Sequence, residues 1–424
     1  MPYSQRIENC FEDKIGKNGI AQGDFAANIT EAIAVATSIK QQTADANFAI
    51  LNNLQEDEYL AEIISTVNSL KENFDELVVL GTGGSTLNPQ AICALAQPHE
   101  GIDKKVYFIE NVDFDTIEKY IAQFDLENTA FLVTSKSGKT VETLSQFMVF
   151  ISEYEKAGVE FVGKHFYIIS DPKGSPIRKI GEQIGATVLD HEPKIGGRFS
   201  TFTNVGLIPA AFLGLNVQKL RDGAIAAMGE FIEQEKSVPV IGAALAYSFM
   251  QKGTKINVMM PYVDRLAATA TWYRQIWAES LGKNGKGSTP IKAIGPLDQH
   301  SQLQLYLDGP NDKFITVITL NSGGKGSKID AEFKNIKGLD HLHNKTIGDI
   351  NAALQEATIS TLVNNGCPVR HIYLENLDEF SLGRLLLDMI LETVITAGLL
   401  DINAFDQPAV EEGKNLAREL LGGK

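Results

Sequence analysis

The segment ELVVLGTGGS, residues 76–85, decides the fold class of this 424-residue chain. Its four consecutive Leu and Val residues fit a strand that is covered on both faces of a sheet. The glycines that follow allow a tight turn, and glycine lets backbone N–H groups approach an anion at the start of a helix. The segment therefore predicts a strand, a phosphate-binding loop and a helix in succession. A plain glycine turn is the alternative, and Thr86 in the third glycine position excludes the dinucleotide-binding fingerprint.

Apolar, β-rich runs alternate with longer amphipathic stretches on both sides of this segment. The predicted strands are 76–80, 105–109, 130–134, 165–170, 186–189, 255–260, 314–320 and 370–374. Helical patterns include 140–156, 204–215, 217–234 and 239–251. Such alternation predicts an α/β protein with mainly parallel sheets. Because the strands fall into two groups, we predict two α/β domains, 46–205 and 206–380. We also predict an N-terminal helical extension, 1–45, and a helical C-terminal part, 381–424.

The composition is that of an acidic globular protein. Lys and Arg total 38 against 53 Asp and Glu, a formal net charge of −15, with 44% hydrophobic and 21% charged residues. These values exclude a disordered chain and argue against binding to nucleic acid or to an anionic membrane surface. Three scattered cysteines are too few for a disulfide framework or a cysteine-based zinc site. No apolar stretch is long and uninterrupted enough to cross a bilayer, so we predict a cytoplasmic protein.

The segment SKSGKT, residues 135–140, follows another predicted strand. Its end imitates a nucleotide-binding P-loop, but that motif requires a glycine where Val133 stands, which excludes the NTPase interpretation. Hydroxyl groups and an ammonium group suit a phosphate monoester. The residues that carry them are Ser135, Lys136, Ser137 and Thr140. A hydroxyl-rich capping loop is the alternative.

Arg198 stands in the glycine turn GGRFS, residues 196–200. A guanidinium there could hold a developing oxyanion, and a surface arginine in a turn is the alternative.

Glu279 follows Trp272 and Ile276 at helical spacing, and Gln275 lies one turn before it. A carboxylate beside large apolar side chains is either a general base in a cleft or a paired structural residue. The next stretch, 282–290, predicts a loop that could close over a site.

His300 and Lys414 are the remaining candidates for proton chemistry. His300 is predicted to share a helical face with Leu303 and Leu307, where a packing role is the alternative. Lys414 falls on the apolar stripe of a C-terminal helix, so it either extends to solvent or is aimed into a cleft.

Taken together, these segments resemble the glucose-6-phosphate isomerase family. The resemblance rests on GTGGS at 81–85, SKSGKT followed by Glu142 and Thr143, GGRFS at 196–200, AESLGKNGKG at 278–287, DQHSQLQL at 298–305 and FDQPAVEEGK at 405–414. It implies two sugar-isomerase (SIS) domains with flavodoxin-like parallel sheets, 46–205 with the phosphate loops and 206–380, followed by the helical segment. It also implies a homodimer whose active sites use both subunits.

The resemblance further implies reversible conversion of D-glucose 6-phosphate to D-fructose 6-phosphate without a metal or organic cofactor. Glu279 would move the proton between C2 and C1, and Arg198 would stabilise the cis-enediolate. His300 from the partner subunit would help to open the sugar ring, with Lys414 close to the ring oxygen. The substrate-binding residues would be Gly83, Gly84, Ser85, Ser135, Lys136, Ser137, Thr140, Gln275 and Gln407.

Two other interpretations stay open. Mannose 6-phosphate activity could accompany or replace the main activity, because the two aldoses differ only at C2. A non-catalytic regulator built of SIS domains could bind a sugar phosphate without turnover. The joint presence of a base, an imidazole and two cationic groups argues against the regulator, as does the lack of a basic helix-turn-helix candidate. The sequence assigns no role to Lys139 or to the loop 282–287.

Overall fold

The computed structural model describes residues 3–45, 48–96, 103–329 and 336–422. In these ranges the strands are β1 (Tyr3–Arg6), β2 (Glu76–Leu80), β3 (Lys105–Ile109), β4 (Thr129–Thr134), β5 (Phe166–Ser170), β6 (Thr187–Asp190), β7 (Ile256–Pro261), β8 (Thr289–Lys292), β9 (Lys313–Leu320) and β10 (Val369–Leu374). The first eight helices are α1 (Glu12–Ile15), α2 (Gln22–Ala44), α3 (Ala49–Asn52), α4 (Asp57–Asn73), α5 (Gly84–Cys93), α6 (Phe114–Gln123), α7 (Val141–Lys156) and α8 (Pro176–Ile184). They are followed by α9 (Asn204–Phe212), α10 (Val217–Glu233), α11 (Val238–Gln251), α12 (Ala267–Leu281), α13 (Leu303–Asp308), α14 (Ile347–Asn364), α15 (Glu379–Leu399) and α16 (Glu411–Leu420).

The chain folds as two compact units. One joins Met1–Ser38 with Gly229–Ala404, and the other joins Ile39–Met228 with Phe405–Lys424. Both ends of the chain thus fold with segments that are distant in sequence. The division into four consecutive segments that the sequence suggests stays a prediction.

The unit formed by Ile39–Met228 and Phe405–Lys424 contains the first sheet, in the order β3-β2-β4-β5-β6. All its strands are parallel, and Glu76 pairs with Lys105 on one side and with Thr129 on the other. This is the flavodoxin-like strand order, in which the direction of winding reverses between β2 and β4. Phe147 and Phe150 of α7 belong to the core cluster that covers this sheet.

The unit formed by Met1–Ser38 and Gly229–Ala404 contains the second sheet, in the order β1-β10-β9-β7-β8. Four of its strands are parallel in flavodoxin-like order, and β1 adds antiparallel to β10. The core includes Val258, Val317 and Val369 from three neighbouring strands. The predicted class, α/β with two flavodoxin-like parallel sheets and a helical C-terminal segment, is confirmed.

All eight predicted strands form, with ends shifted by at most one residue. The sequence prediction missed β1 and β8, which are four residues long and carry polar side chains. The segment 282–290 was predicted as a loop throughout, but its end enters β8, which pairs with the edge of β7. Such short edge strands form through their neighbour's backbone, and their side-chain pattern carries little signal. Among the described residues, no helix is long and apolar enough to span a membrane.

Candidate active site

Two loops meet at the carboxyl edge of the first sheet, between β2 and β4. The loop 81–85 leaves β2, and the loop 135–140 leaves β4. They lie close together, because a Cβ added to Gly81 would be 3.1 Å from Thr134 O. Parallel α/β sheets bind ligands at the point where the strand order reverses. The fold thus brings together the two loops for which the sequence predicts phosphate binding.

Hydrogen bonds within the loop 135–140 fix its shape. The Gly138 amide donates to the carbonyl and hydroxyl oxygens of Ser135 at 3.0 and 3.1 Å, and Ser135 Oγ donates to Thr140 Oγ1 at 3.2 Å. Gly138 has a φ of +59°, and a Cβ there would lie 2.0 Å from Ser175 Oγ. Only glycine therefore fits this position without displacing its neighbours.

Helices α5 and α7 begin at these two loops without a side-chain cap. Gly83 and Thr140 occupy their N-cap positions, and neither makes a capping hydrogen bond through its side chain. The neighbouring helices α6, α8 and α9 are capped by Asp113, Ser175 and Thr203. First-turn amides without a cap carry partial positive charge and bind anions. The two loops therefore present an electropositive backbone surface.

The tip of the loop 135–140 combines exposed and tethered side chains. Ser137 and Lys139 are exposed, and the Lys139 amide donates to Ser137 Oγ at 3.3 Å. Lys136 is half-buried, and its Nζ donates to Pro193 O at 2.7 Å and to Ile195 O at 2.8 Å. Two of the three N–H groups of the Lys136 ammonium are thus used to hold the segment that follows β6.

His191 is buried beside Lys136. Burial lowers the pKa of His191 to about 4, and the positive charge of Lys136 contributes to this effect. Its Nδ1 lies 2.9 Å from Glu192 O, so this nitrogen carries the proton of the neutral ring. Burial also lowers the pKa of Lys136, while Asp171 and Glu192 act in the opposite direction. At neutral pH, His191 therefore adds no charge next to the phosphate loops.

Arg198 is buried in the short 3₁₀ segment Gly197–Phe202. Its Nη1 donates to Gln407 Oε1 at 2.9 Å, and its Nη2 donates to Asp406 O at 3.1 Å. The guanidinium also lies 5.1 Å from the ring centre of Phe199. The structure thus brings two of the predicted site residues, Arg198 and Gln407, into direct contact and excludes the alternative of a surface arginine.

Lys414 lies on α16, whose side chains are all exposed. Its Nζ pairs with Glu411 at 2.7 Å, and both side chains are 58% exposed. Such a surface pair contributes little to stability. The apolar stripe predicted for this helix is present, but it is exposed. The ammonium group of Lys414 pairs with Glu411 of the same helix, which is not one of the predicted site residues. Exposed apolar side chains on or next to α16 are Phe405, Val410, Leu416, Leu420 and Leu421.

Glu279 lies near the end of α12, which packs beside the second sheet. Trp272 and Ile276 are fully buried, whereas Glu279 is half-buried, so the predicted face combines a packed core with an accessible carboxylate. Gln275 Nε2 donates to Glu279 Oε1 at 2.8 Å. This bond joins two residues one helical turn apart and orients one carboxylate oxygen.

Two lysines tie down the loop that follows α12. Lys283 Nζ donates to Asn403 O, and Lys286 Nζ donates to Leu400 O at 2.6 Å. Both acceptors lie just after α15. Gly287 has a φ of +98°, and a Cβ there would lie 2.5 Å from the carbonyl oxygen of Leu281. In this structure the loop is held by backbone and lysine contacts.

His300 ends a 3₁₀ turn, Leu297–His300, and is exposed. The prediction that it shares a helical face with Leu303 is wrong, because α13 begins only at that residue. Asp298 interrupts the helix: it accepts hydrogen bonds from the amide of Ile294 at 2.6 Å and from Ser301 Oγ at 2.5 Å. Such local side-chain bonds stabilise turns in competition with helices. A packing role for His300 is therefore excluded in the isolated chain.

Comparison with known proteins identifies the family to which the chain belongs. A model of the family described as phosphoglucose isomerase matches residues 40–423. The chain belongs to the phosphoglucose isomerase family. A probable glucose-6-phosphate isomerase of Methanococcus maripaludis is 33% identical, over 99% of this chain and 94% of its own length. A glucose-6-phosphate isomerase of Rubrobacter xylanophilus is 35% identical, over 82% of each chain. Membership in this family places the chain among the isomerase enzymes.

Solved structures support the same fold. The crystal structure of a hypothetical protein from Thermus thermophilus has a TM-score of 0.87 at 27% identity, covering 99% of this chain and 100% of that one. A glucose-6-phosphate isomerase from Chlamydia trachomatis has a TM-score of 0.72 at 23% identity, covering 86% of this chain and 73% of that one. These similarities support the α/β fold with two mainly parallel sheets.

Sequence reasoning missed Asn88, whose side chain connects α5 to the segment that carries Arg198. The sequence does hold a signal, since Asn88 lies one helical turn after Gly84 and is a poor helix former in the interior of a helix. An asparagine inside a helix is usually there because its side chain makes hydrogen bonds.

Within the described ranges, no group of three or more His, Cys, Asp or Glu side chains is placed to hold a metal ion.

Proposed function

We propose that this chain interconverts D-glucose 6-phosphate and D-fructose 6-phosphate through ring opening and a cis-enediolate. The observation that carries the proposal is the pair of loops at the switch point of the first sheet, with two uncapped helix N-termini and the buried Arg198 segment tethered to one of them. This arrangement suits a small ligand with a terminal phosphate and a second anionic centre. Family membership supplies the reaction class.

The phosphate group is the anchor of the substrate. Backbone amides around Gly83 and Gly84 and at the start of α7 would donate to its oxygens, because these helix starts lack side-chain caps. The hydroxyl groups that would add hydrogen bonds belong to Ser85, Ser135, Ser137 and Thr140. Lys136 would supply positive charge through its remaining N–H group. Binding energy from this remote group can position the reacting carbons.

Glu279 is the proposed base that removes the C2 proton and returns it at C1. Its carboxylate is partly accessible, and the hydrogen bond from Gln275 orients the carboxylate through Oε1. Positioned acid–base catalysis contributes ~10²–10⁴-fold to a rate. Gln275 would also orient a sugar hydroxyl, as the resemblance implies.

Arg198 is the proposed partner of the enediolate oxygens. Its guanidinium is buried and directed by Asp406 and Gln407, so little reorganisation accompanies charge development. Gln407 would share its contacts between Arg198 and a sugar hydroxyl. Removing one such donor typically lowers kcat ~10²–10³-fold.

His300 and Lys414 are proposed to act at ring opening, with His300 contributed by the partner of a homodimer. His300 is exposed between Leu297 and Leu305, which are 70% and 53% exposed. Apolar side chains grouped on a surface favour coverage by another protein surface. The exposed apolar side chains of α16 support the same proposal for the region of Lys414.

We also propose that the protein acts in the cytoplasm. Its three cysteines, Cys10, Cys93 and Cys367, are buried and unpaired with one another, which suits a reducing compartment.

A coupled assay on purified protein treated with a chelator tests the proposed reaction. We expect formation of fructose 6-phosphate from glucose 6-phosphate and the reverse conversion at comparable enzyme concentrations. Parallel assays with mannose 6-phosphate measure the activity towards the C2 epimer. Binding of these sugar phosphates without any turnover would contradict the proposal and favour the regulator.

A further inference from the structure

A fully buried asparagine supports the segment that carries Arg198. Asn88 Nδ2 donates to Gly197 O at 2.7 Å and to Ser200 Oγ at 3.1 Å. In return, Thr201 Oγ1 donates to Asn88 Oδ1 at 2.6 Å. Both ends of the Asn88 amide are thus bonded to residues on either side of Arg198, and these contacts span more than a hundred residues of sequence.

The same asparagine is bonded to the first phosphate loop. Asn88 Nδ2 also donates to the carbonyl oxygen of Gly84, the first residue of α5. Gly84 packs directly on the arginine segment, since a Cβ there would lie 2.3 Å from Gly197 O and 2.7 Å from the Arg198 amide nitrogen. No side chain separates the two backbones. Asn88 therefore joins the N-terminus of α5 to the Arg198 segment at their closest approach.

The second phosphate loop holds the other end of the same segment. Lys136 Nζ donates to Pro193 O and Ile195 O, which precede Arg198 by five and three residues. The segment 193–201 is thus bonded to both loops, by Lys136 before the arginine and by Asn88 on either side of it. Lys136 also belongs to the proposed phosphate site, whereas Asn88 is fully buried and cannot contact a substrate.

We propose that Asn88 is a positioning residue, which fixes the backbone of Arg198 relative to the phosphate loops so that the guanidinium meets the enediolate of a bound substrate. The proposal rests on the proposed function, in which Arg198 stabilises that intermediate. The loops that bind the substrate's phosphate and the guanidinium that faces its enediolate must stay at a constant distance from each other. A displacement of ~1 Å in such a pair can reduce a rate ~10²-fold.

The test compares Asn88→Ala with the wild-type protein in steady-state kinetics and in binding of two non-reacting ligands. A hexitol 6-phosphate has the phosphate and hydroxyl groups but cannot form an enediolate. A five-carbon aldonate 5-phosphate carries a carboxylate that imitates the enediolate oxygens. We expect kcat to fall ~10–100-fold and KM to change less than ~3-fold. Affinity for the aldonate should fall roughly in parallel with kcat/KM, and affinity for the hexitol should stay within ~3-fold.

Asn28→Ala is the matched control. Asn28 is also buried and donates through Nδ2 to two side chains, Ser248 Oγ at 2.7 Å and Gln251 Oε1 at 3.1 Å. It lies in the other unit, and these two hydrogen-bond partners are not among the proposed site residues. The control should lose stability as Asn88→Ala does, with kcat and both affinities unchanged.

Equal weakening of both ligands by Asn88→Ala would overturn the proposal, because it would make Asn88 a support of the phosphate loops alone. Wild-type kcat in a folded Asn88→Ala variant would overturn it as well. If that variant does not fold, Thr201→Val removes only the hydrogen bond to Asn88 Oδ1, and kcat should fall with hexitol binding retained. An unchanged kcat in Thr201→Val would then contradict the proposal. A wild-type protein that isomerises no hexose 6-phosphate would instead refute the proposed function.

Discussion

Arg198 is buried, and its guanidinium is oriented by hydrogen bonds to Asp406 and Gln407. The glycine turn around it left open whether Arg198 holds an oxyanion or lies on the surface, and its burial excludes the surface alternative. Its orienting partners, Asp406 and Gln407, lie more than two hundred residues away in sequence. Asn88 is a similar case, because its bonds to Gly197 and Thr201 arise only when α5 packs on this segment. Local sequence identifies such groups, but long-range packing decides where they point.

Glu279→Gln tests the proposed base at the same scale. We expect kcat to fall by ~10²-fold or more, because the amide keeps the size of the carboxyl group but cannot accept the C2 proton. Affinity for a hexitol 6-phosphate should persist, because the phosphate site is unchanged. Steady-state kinetics and calorimetric binding measure the two effects.

Glu153→Gln provides the control for this prediction. Glu153 pairs with Lys156 at 2.6 Å on the surface of α7, so its substitution should leave kcat unchanged. Near-normal turnover in Glu279→Gln would remove Glu279 as the base.

At the scale of elements, the strong apolar runs were predictable and the local interruptions were not. The strands β2 to β7, β9 and β10 follow from runs of apolar residues rich in Val, Ile, Leu and Phe. The 3₁₀ turn at His300 forms because the Asp298 carboxylate accepts hydrogen bonds from Ile294 and Ser301. The spacing of apolar residues does not predict these local hydrogen bonds. The loop 282–287 was predicted from its glycines, but its ties to residues 400 and 403 depend on the position of α15.

Gly138→Ala tests the shape of the second phosphate loop. The positive φ of Gly138 strains any other residue, and the new Cβ would meet Ser175 Oγ at 2.0 Å. Gly158, just after α7, has a similar φ of +70°, and a Cβ added there would have no heavy atom of another residue within 4 Å, its chain neighbours aside. We expect Gly158→Ala to lower the free energy of unfolding by about 1–2 kcal/mol.

The crowding at Ser175 should add about 1–3 kcal/mol to the cost of Gly138→Ala and should raise KM. Urea unfolding and steady-state kinetics measure both quantities. Equal destabilisation by the two substitutions, with KM unchanged in both, would show that the crowded geometry of the loop 135–140 is wrong.

At the scale of the whole molecule, each unit combines segments that are far apart in sequence. In the unit of the second sheet, β1 reaches a buried polar cluster: the Tyr3 hydroxyl donates to Asp388, and Gln5 accepts a hydrogen bond from Arg370 Nε at 2.6 Å. Arg370 also pairs with Glu392 at 2.7 Å, and both side chains are 3% exposed. The alternation of strands and helices predicts the sheets, but it cannot predict that the N-terminal segment completes the second one.

This buried cluster makes a prediction about pH. Burial, and secondly the charge of Glu392, raises the pKa of Asp388 well above its usual range. The folded state therefore retains a proton that the unfolded state releases above about pH 4. Stability from this group is lost as pH rises towards the pKa of the folded state. Asp388→Asn removes the titrating group but keeps an oxygen that accepts from the Tyr3 hydroxyl.

Urea unfolding between pH 5 and 8 measures the effect. The free energy of unfolding of the wild type should fall, relative to Asp388→Asn, by up to about 1.4 kcal/mol per pH unit. Asp24→Asn, at an exposed position on α2, should give a curve parallel to that of the wild type. If the free energy of unfolding of Asp388→Asn depended on pH in the same way as that of the wild type, the raised pKa of Asp388 would be contradicted.

The proposed sharing of sites between subunits can be tested by mixing two inactive variants. His300→Ala and Glu279→Gln subunits, refolded together, should regain activity, because a heterodimer then contains one site with both native groups. With random pairing, about half of the dimers are heterodimers, each with one intact site. Tagged subunits verify pairing, and lack of recovery in isolated heterodimers would rule out sharing.

The central claim is that a protein carboxylate moves a proton between two neighbouring carbons of a phosphate-anchored hexose. Its most direct test is to incubate the metal-stripped protein with glucose 6-phosphate in deuterated water and to locate the label in the product by NMR. The account predicts fructose 6-phosphate with solvent deuterium at C1, because a carboxyl group exchanges its proton with water. Product in which the original C2 hydrogen is retained completely at C1 would contradict it.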